Sequence, residues 1–255
     1  MAKKHLSQNF LYDPSILGRI IQAAGLLPDD TVVEIGPGPG RLTMMLASVV
    51  KEVIAIEFDR KLYEDLNART GLPGNIRLIQ GDALKYPYGE LEKFKVVSNI
   101  PYHITTPLIF RLLEHGKNLI SMTLTVQKEV AERIVAVPGG KDYGVLSIML
   151  QYHAGAELKF LIPRGAFSPV PKVDSACIHI RIYDKPVITV RDEEFFSLVV
   201  KTAFSQRRKT LLNSLKTVSP DLKEALIKAD IDPQRRPETL SIEEFARLSE
   251  ALRSF

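Results

Sequence analysis

The sequence predicts an α/β fold: a largely parallel sheet covered by helices on both faces, followed by a small all-helical domain. Three observations predict it. Apolar runs of strand length alternate with amphipathic stretches of helix length through residues 1 to about 183, which is the pattern of βαβ units. A glycine-rich loop separates the first such run from the helix after it, where an open α/β sheet receives its ligand. From about Thr189 onward strand patterns give out and only helical periodicity remains. The domain boundaries are therefore set at residues 1–185 and 186–255.

The elements follow in order. Asp13-Pro14 supplies an N-cap and a first-turn proline, and Ile16, Leu17, Ile20, Ile21 and Ala24 mark one face of the helix behind them. Thr31 to Ile35 reads as a first buried strand, ended by Gly36-Pro37-Gly38-Pro39-Gly40; a helix from Arg41 to Val50 and a strand Val53 to Ile56 complete one βαβ unit. The pattern repeats with a helix from Arg60 to Ala68, strand Ile76 to Ile79 and a fourth strand ending at Ser98. Helix Pro107 to His115, strand Met122 to Val126, helix Gln127 to Val135, a loop over 138–144 and helix Val145 to Tyr152 come next. Strands Glu157 to Ile162 and Ala176 to Tyr183 flank a proline-rich loop and close the sheet. In the second domain Glu193 to Phe204, Gln206 to Leu215, Pro220 to Ala229 and Ile242 to Leu252 read as helices, with Ser241 and Glu244 forming a capping box.

Composition narrows the function classes. At 255 residues and 45% hydrophobic content the chain can build one large and one small core, and no apolar run approaches the roughly 20 residues of a membrane span. Met1 to Leu6 is basic but lacks the apolar stretch of a signal peptide, so a cytoplasmic location is expected. Cys177 stands alone and cannot form an internal disulfide; with five scattered histidines it offers no metal-ligand spacing, so no metal is expected. A net charge of +4 favours an anionic partner only weakly.

Four strand ends carry chemistry. The loop spacing is G-x-G-x-G, neither the G-x-G-x-x-G of dinucleotide enzymes nor a P-loop. Glu57 ends the second strand about 20 residues on, where a carboxylate can hold both ribose hydroxyls. Asp82, with Ala83 beside it, follows the third strand, where it can accept from an adenine amino group. Glycine loop plus two strand-end acids suits a nucleoside cofactor without a pyrophosphate, such as S-adenosyl-L-methionine. After the fourth strand comes Asn99-Ile100-Pro101-Tyr102. An adenine amino group is a poor nucleophile because its lone pair is delocalised into the ring. Two acceptors, the Asn99 side-chain oxygen and the Ile100 carbonyl, can bind its N–H groups and turn the lone pair toward an electrophile, with Pro101 fixing the carbonyl and Tyr102 offering a stacking face. Read alone, the same four residues also fit an ordinary turn.

The set resembles the Rossmann-like, class I amino-methyltransferases with an N-[I/L]-P-Y motif. Ser7-Gln8-Asn9-Phe10-Leu11-Tyr12-Asp13 resembles the N-terminal cofactor motif of the ribosomal RNA adenine dimethyltransferases. Phe167 to Ser175 is similar to that family's F-x-P-x-P-x-V-x-S loop, and Gln206 to Leu215 to a Q-R-R-K-x-L-x-N-x-L segment of its bacterial small-subunit branch. The resemblance implies that Asn9 and Leu11 border S-adenosyl-L-methionine, Gly36 and Gly38 pass beneath its methionine part, Glu57 holds the ribose and Asp82 the adenine. It further implies that Asn99 faces both cofactor and target amine, and that Tyr102 and Phe167 sandwich the flipped base. For Phe167 a loop aromatic packed on the sheet edge is the other reading. His103 stands where the family often has asparagine and is read as a pocket-lining substitution.

What the resemblance implies as activity is two methyl transfers to N6 of each of two adjacent adenines, in a hairpin near the 3′ end of 16S rRNA, late in small-subunit assembly. The product is S-adenosyl-L-homocysteine, and the protein is expected to be a monomer. Arg207-Arg208-Lys209, with Arg235-Arg236, reads either as an RNA phosphate contact or as a solvated helix face; residues 189–255 carry 12 Lys and Arg against 11 Asp and Glu, so the basic signal is local. Two alternatives stand beside this reading: a large-subunit adenine methyltransferase of the antibiotic-resistance type, and a non-enzymatic assembly factor.

Overall fold

A computed structural model of the chain describes residues 9–254. Ser7 and Gln8 of the N-terminal motif, and the basic segment before them, lie outside the described residues. The chain divides into two compact units, residues 1–131 with 155–184 and residues 132–154 with 185–255.

In the first unit β1 (Phe10–Leu11) leads into α1 (Pro14–Ala24). Asp13 caps that helix by accepting from the N–H groups of Ser15 and Ile16, and Gly25 ends it in a left-handed conformation at φ 55°. Ile16, Leu17, Ile20 and Ala24 are buried; each larger one is worth about 1.5–3 kcal/mol of apolar burial. Then come β2 (Thr31–Ile35), α2 (Arg41–Ala47), β3 (Glu52–Glu57), α3 (Arg60–Asn67), β4 (Ile76–Gln80), β5 (Phe94–Asn99), α4 (Thr105–Leu113) and β6 (Leu119–Gln127). After α5 (Lys128–Val135) and α6 (Val145–His153) the sheet resumes with β7 (Ala154–Ile162), β8 (Phe167–Ser168) and β9 (Ser175–Ile182).

The seven-stranded sheet has the order β4-β3-β2-β5-β6-β9-β7, and β1 pairs with β8 as a separate antiparallel ribbon. Strands β2 to β6 run parallel and β9 runs antiparallel to β6. Val32, Val33, Val53, Ile54, Val96 and Val97 are wholly buried, as strands covered on both faces require. The chain builds outward from β2 through β3 to β4, then crosses back to lay β5 on the other side of β2. That reversal opens a crevice at the C-terminal ends of β2 and β5.

The second unit holds α7 (Glu193–Ser205), α8 (Leu211–Ser214), α9 (Leu222–Lys228) and α10 (Ile242–Leu252) around a core of Phe196, Val200, Phe204, Leu226, Phe245 and Leu248. Two expectations differ here. Residues 132–154, placed in the first domain because they fall between sheet strands, pack with the helical unit: Tyr143, Ile148 and Tyr152 join its core, and the Tyr152 and Phe196 rings lie 4.9 Å apart. An apolar face follows the surface that buries it, whatever its place in chain order. The helix expected over Gln206 to Leu215 is a turn at 206–209 followed by the single turn of α8, because the polar run Gln206-Arg207-Arg208-Lys209 has no apolar face to bury.

Candidate active site

The crevice holds a cavity of ≈ 200 Å³, far larger than the ~10–15 Å³ one water needs. Its walls come from the ends of β2, β3, β4 and β5. Of the residues singled out from sequence, Asn9, Gly36, Glu57, Asp82, Ala83, Asn99, Ile100, Pro101, Tyr102 and His103 line it.

Each is set in place by its local chain. Gly36 and Gly38 have φ of 69° and 54°, and a Cβ on Gly38 would lie 2.6 Å from the Phe10 ring; only glycine fits that turn beneath that ring. Glu57 is 5% exposed. Its Oε2 accepts from the Gly38 N–H at 3.1 Å and its Oε1 from the Asp59 N–H at 2.8 Å, which leaves each oxygen a second lone pair for a ligand hydroxyl. Burial raises its pKa, and those two backbone donors work against the rise. Asp82 accepts from the Leu84 N–H through Oδ1 at 2.9 Å, and the buried Tyr88 hydroxyl donates to the Ala83 carbonyl at 2.9 Å. The turn after β4 is thereby pinned from inside the protein.

At the end of β5 the arrangement differs. The Asn99 amide nitrogen donates to the Asn9 carbonyl at 2.9 Å. Its Oδ1 is buried and has no hydrogen-bond partner among the described residues. Such a group carries a desolvation cost of about 1–3 kcal/mol, which a ligand donor would offset. Pro101 holds φ −56°, and the Tyr102 hydroxyl lies 2.7 Å from the hydroxyl of Ser175. Burial raises the Tyr102 pKa.

Several residues expected at the site lie away from the cavity wall. Leu11, Gly38 and Phe167 do not line the cavity. Gly38 stands behind Glu57 and acts through its N–H. Leu11 and Phe167 are paired across the β1/β8 ribbon, 5% and 3% exposed, in the core cluster with Ile162 and Leu17. In this structure Phe167 packs at the sheet edge, as in the other reading given for it. In the helical unit the Arg207 guanidinium donates to the carbonyls of Lys141 and Tyr143 at 2.8 and 2.9 Å, and Arg235 is engaged by Glu244 and Thr239. Both guanidiniums are tied to the protein, although Arg207 is exposed, as are Arg208, Lys209 and Arg236.

Sequence reasoning missed Phe10 and Phe58, which share the cavity wall. Phe58 is 61% exposed; an aromatic directly after a strand-end acid was the available signal. It also passed over Glu34, buried on β2 behind the wall, whose pKa is pushed up to about 8 by burial and by the charge of Glu57. The Thr43 hydroxyl offsets part of that without a hydrogen bond of normal geometry to Oε2.

Over residues 1–254 the sequence matches the model of the family described as "Ribosomal RNA adenine dimethylase". The chain belongs to that family. As a member it is an enzyme, an rRNA adenine dimethyltransferase, and the family implies S-adenosylmethionine as methyl donor. Among its relatives, "Ribosomal RNA small subunit methyltransferase A" of Caldanaerobacter subterraneus subsp. tengcongensis is 44% identical over 98% of this chain and 97% of its own. The protein of the same description from Moorella thermoacetica is 45% identical over 98% of this chain and 92% of its own. Among solved structures, a dimethyladenosine transferase from Plasmodium falciparum superposes with TM-score 0.78 at 28% identity, covering 94% of this chain and 95% of its own. The 23S rRNA methyltransferase ErmE does so with TM-score 0.74 at 30% identity, covering 96% and 100%. The sheet is thus the Rossmann-like sheet of the class I methyltransferases.

The cavity fits the implied donor. The positive-φ turn at Gly36, a buried carboxylate with open lone pairs at Glu57 and the orphaned amide oxygen of Asn99 belong to residues that line the same cavity.

Proposed function

We propose that the protein dimethylates N6 of two adjacent adenines in a hairpin near the 3′ end of small-subunit (16S) rRNA, acting as a cytoplasmic monomer late in subunit assembly. The observation that carries the chemistry is Asn99: its amide nitrogen donates to the Asn9 carbonyl, which orients the side chain and leaves its buried Oδ1 as an open acceptor. The small-subunit target is supported by relatives of that description at 44–45% identity.

In this reading Glu57 binds the ribose hydroxyls, Asp82 the adenine amino group, and Asn9 and Gly36 border the methionine part of the donor. S-adenosylmethionine supplies an electrophilic methyl on sulfur. Asn99 Oδ1 and the Ile100 carbonyl accept from the two N–H bonds of the target amine and turn its lone pair out of the ring. The amine nitrogen would take the methyl from the sulfur of the bound donor and shed one proton to water. No protein acid or base is required. Tyr102 stacks on the flipped base, which contributes roughly 1–3 kcal/mol. Arg208 and Lys209 contact RNA phosphates, while Arg207 shapes the turn that presents them.

The test is incubation with labelled S-adenosylmethionine and either small- or large-subunit particles, with the modified base mapped by reverse-transcription stops. Label in two adjacent adenines of the small-subunit RNA is expected. Label confined to large-subunit RNA moves the protein to the resistance-type branch, and no label in either leaves an assembly factor.

A further inference from the structure

The hydroxyl of Ser175 lies 2.7 Å from that of Tyr102, the ring assigned above to the target base. Ser175 is wholly buried, opens β9 and pairs with Gln127 of β6. It is also the closing serine of the segment that begins at Phe167, whose own end is tied to β1 through the pairing of Phe167 with Leu11. Tyr102 sits in a single 3₁₀ turn, Tyr102–Ile104, whose residues are none of them buried. The ring is only partly buried, so packing alone leaves more than one staggered rotamer open to it, and a hydrogen bond at its hydroxyl selects among them. Ser175 provides a hydrogen bond to that tip from a strand whose backbone is locked into the sheet.

We propose that Ser175 is a positioning residue for the methyl transfer: its hydroxyl anchors the Tyr102 ring in the orientation that receives the flipped adenine. The inference rests on the acceptor-site reading of Tyr102. It gives the last position of the F-x-P-x-P-x-V-x-S segment a role in substrate geometry, distinct from the buried packing role of its first position. It also couples the loop over 168–174 to the acceptor corner, since both converge on the first residue of β9. A hydroxyl pair in a partly buried place makes one modest hydrogen bond, so its loss reads as about a tenfold effect.

A double-mutant cycle tests this. Ser175→Ala, Tyr102→Phe and the double variant are compared with wild type on small-subunit particles lacking the modification, alongside cofactor affinity and urea unfolding. Each single change is expected to lower kcat/KM for the particle about tenfold, the double variant to fall no lower than either, and cofactor Kd to stay within twofold. In unfolding, Ser175→Ala is expected to destabilise more than the double variant, because it orphans the tyrosine hydroxyl. Independent, multiplying kinetic effects overturn the proposal, as does a Ser175→Ala variant that loses stability while keeping kcat/KM. Tyr102→Ala separates the two layers. Full activity in that variant removes the acceptor-site reading itself; a large loss there without coupling in the cycle removes only the role of Ser175.

Discussion

The two halves of the cavity are built on different principles. On the side proposed for the cofactor the supports lie nearer in the chain: Glu57 is held by the N–H groups of Asp59, two residues away, and of Gly38, 19 residues earlier, and Asp82 by that of Leu84. On the acceptor side the supports are distant in sequence: Asn99 is oriented by Asn9, 90 residues earlier, and Tyr102 by Ser175, 73 residues later. On the first side each carboxylate already has a backbone donor before a ligand arrives. The other side keeps an unpaired oxygen, a cost that in the proposed reading a substrate amine would remove.

Substitutions on the two sides should therefore separate transfer from cofactor binding. The largest effect is expected for Asn99→Ala: transfer measured in single turnovers falls about 10²–10³-fold, the scale of losing one preorganised polar group, while cofactor affinity by calorimetry stays within tenfold. Full activity in that variant would dissolve the distinction. Next comes Glu57→Ala, which removes the carboxylate proposed to hold the ribose and leaves the N–H groups of Gly38 and Asp59 without their acceptor. Cofactor Kd should rise about 10- to 100-fold, and kcat at saturating cofactor should fall by less.

A third prediction uses pH. Glu34 titrates near pH 8 when folded against its ordinary 4.5, so between those values the unfolded chain ionises while the folded one does not. Stability is fully present below pH 4.5 and declines as pH rises to about 8, with the unfolding constant growing at most about tenfold per pH unit. Glu34→Gln should flatten that slope in urea titrations; an unchanged slope would place the titration elsewhere. The smallest effect is expected for Phe167→Leu. As a packed edge residue it should lose about 1–1.5 kcal/mol of stability and keep kcat on ribosomal particles. A large drop in kcat with stability intact would return Phe167 to the acceptor side.

What could be read from the sequence follows the same division. Strands, the glycine turn and the acids at strand ends are written in short windows, because apolar periodicity, left-handed turns and side-chain caps are local. So Gly36, Glu57 and Asp82 were found at the cavity wall, and Asn99 to Tyr102 at the next strand end. The two-residue strands β1 and β8 gave no period to detect, and with them went the true place of Leu11 and Phe167. The run Arg207-Arg208-Lys209 showed its charge but not that the first of the three would bind carbonyls of a loop more than sixty residues away.

The sequence by itself determined the parallel sheet, the helical second region, the family and the residue types at each strand end, since these depend on local pattern and motif order. Only the tertiary structure decided that Asn99 presents an unpaired oxygen, that Ser175 meets Tyr102 and that Phe167 is turned inward. Those outcomes rest on contacts between segments far apart in the chain, and a side chain's hydrogen-bonding freedom is defined only by what surrounds it.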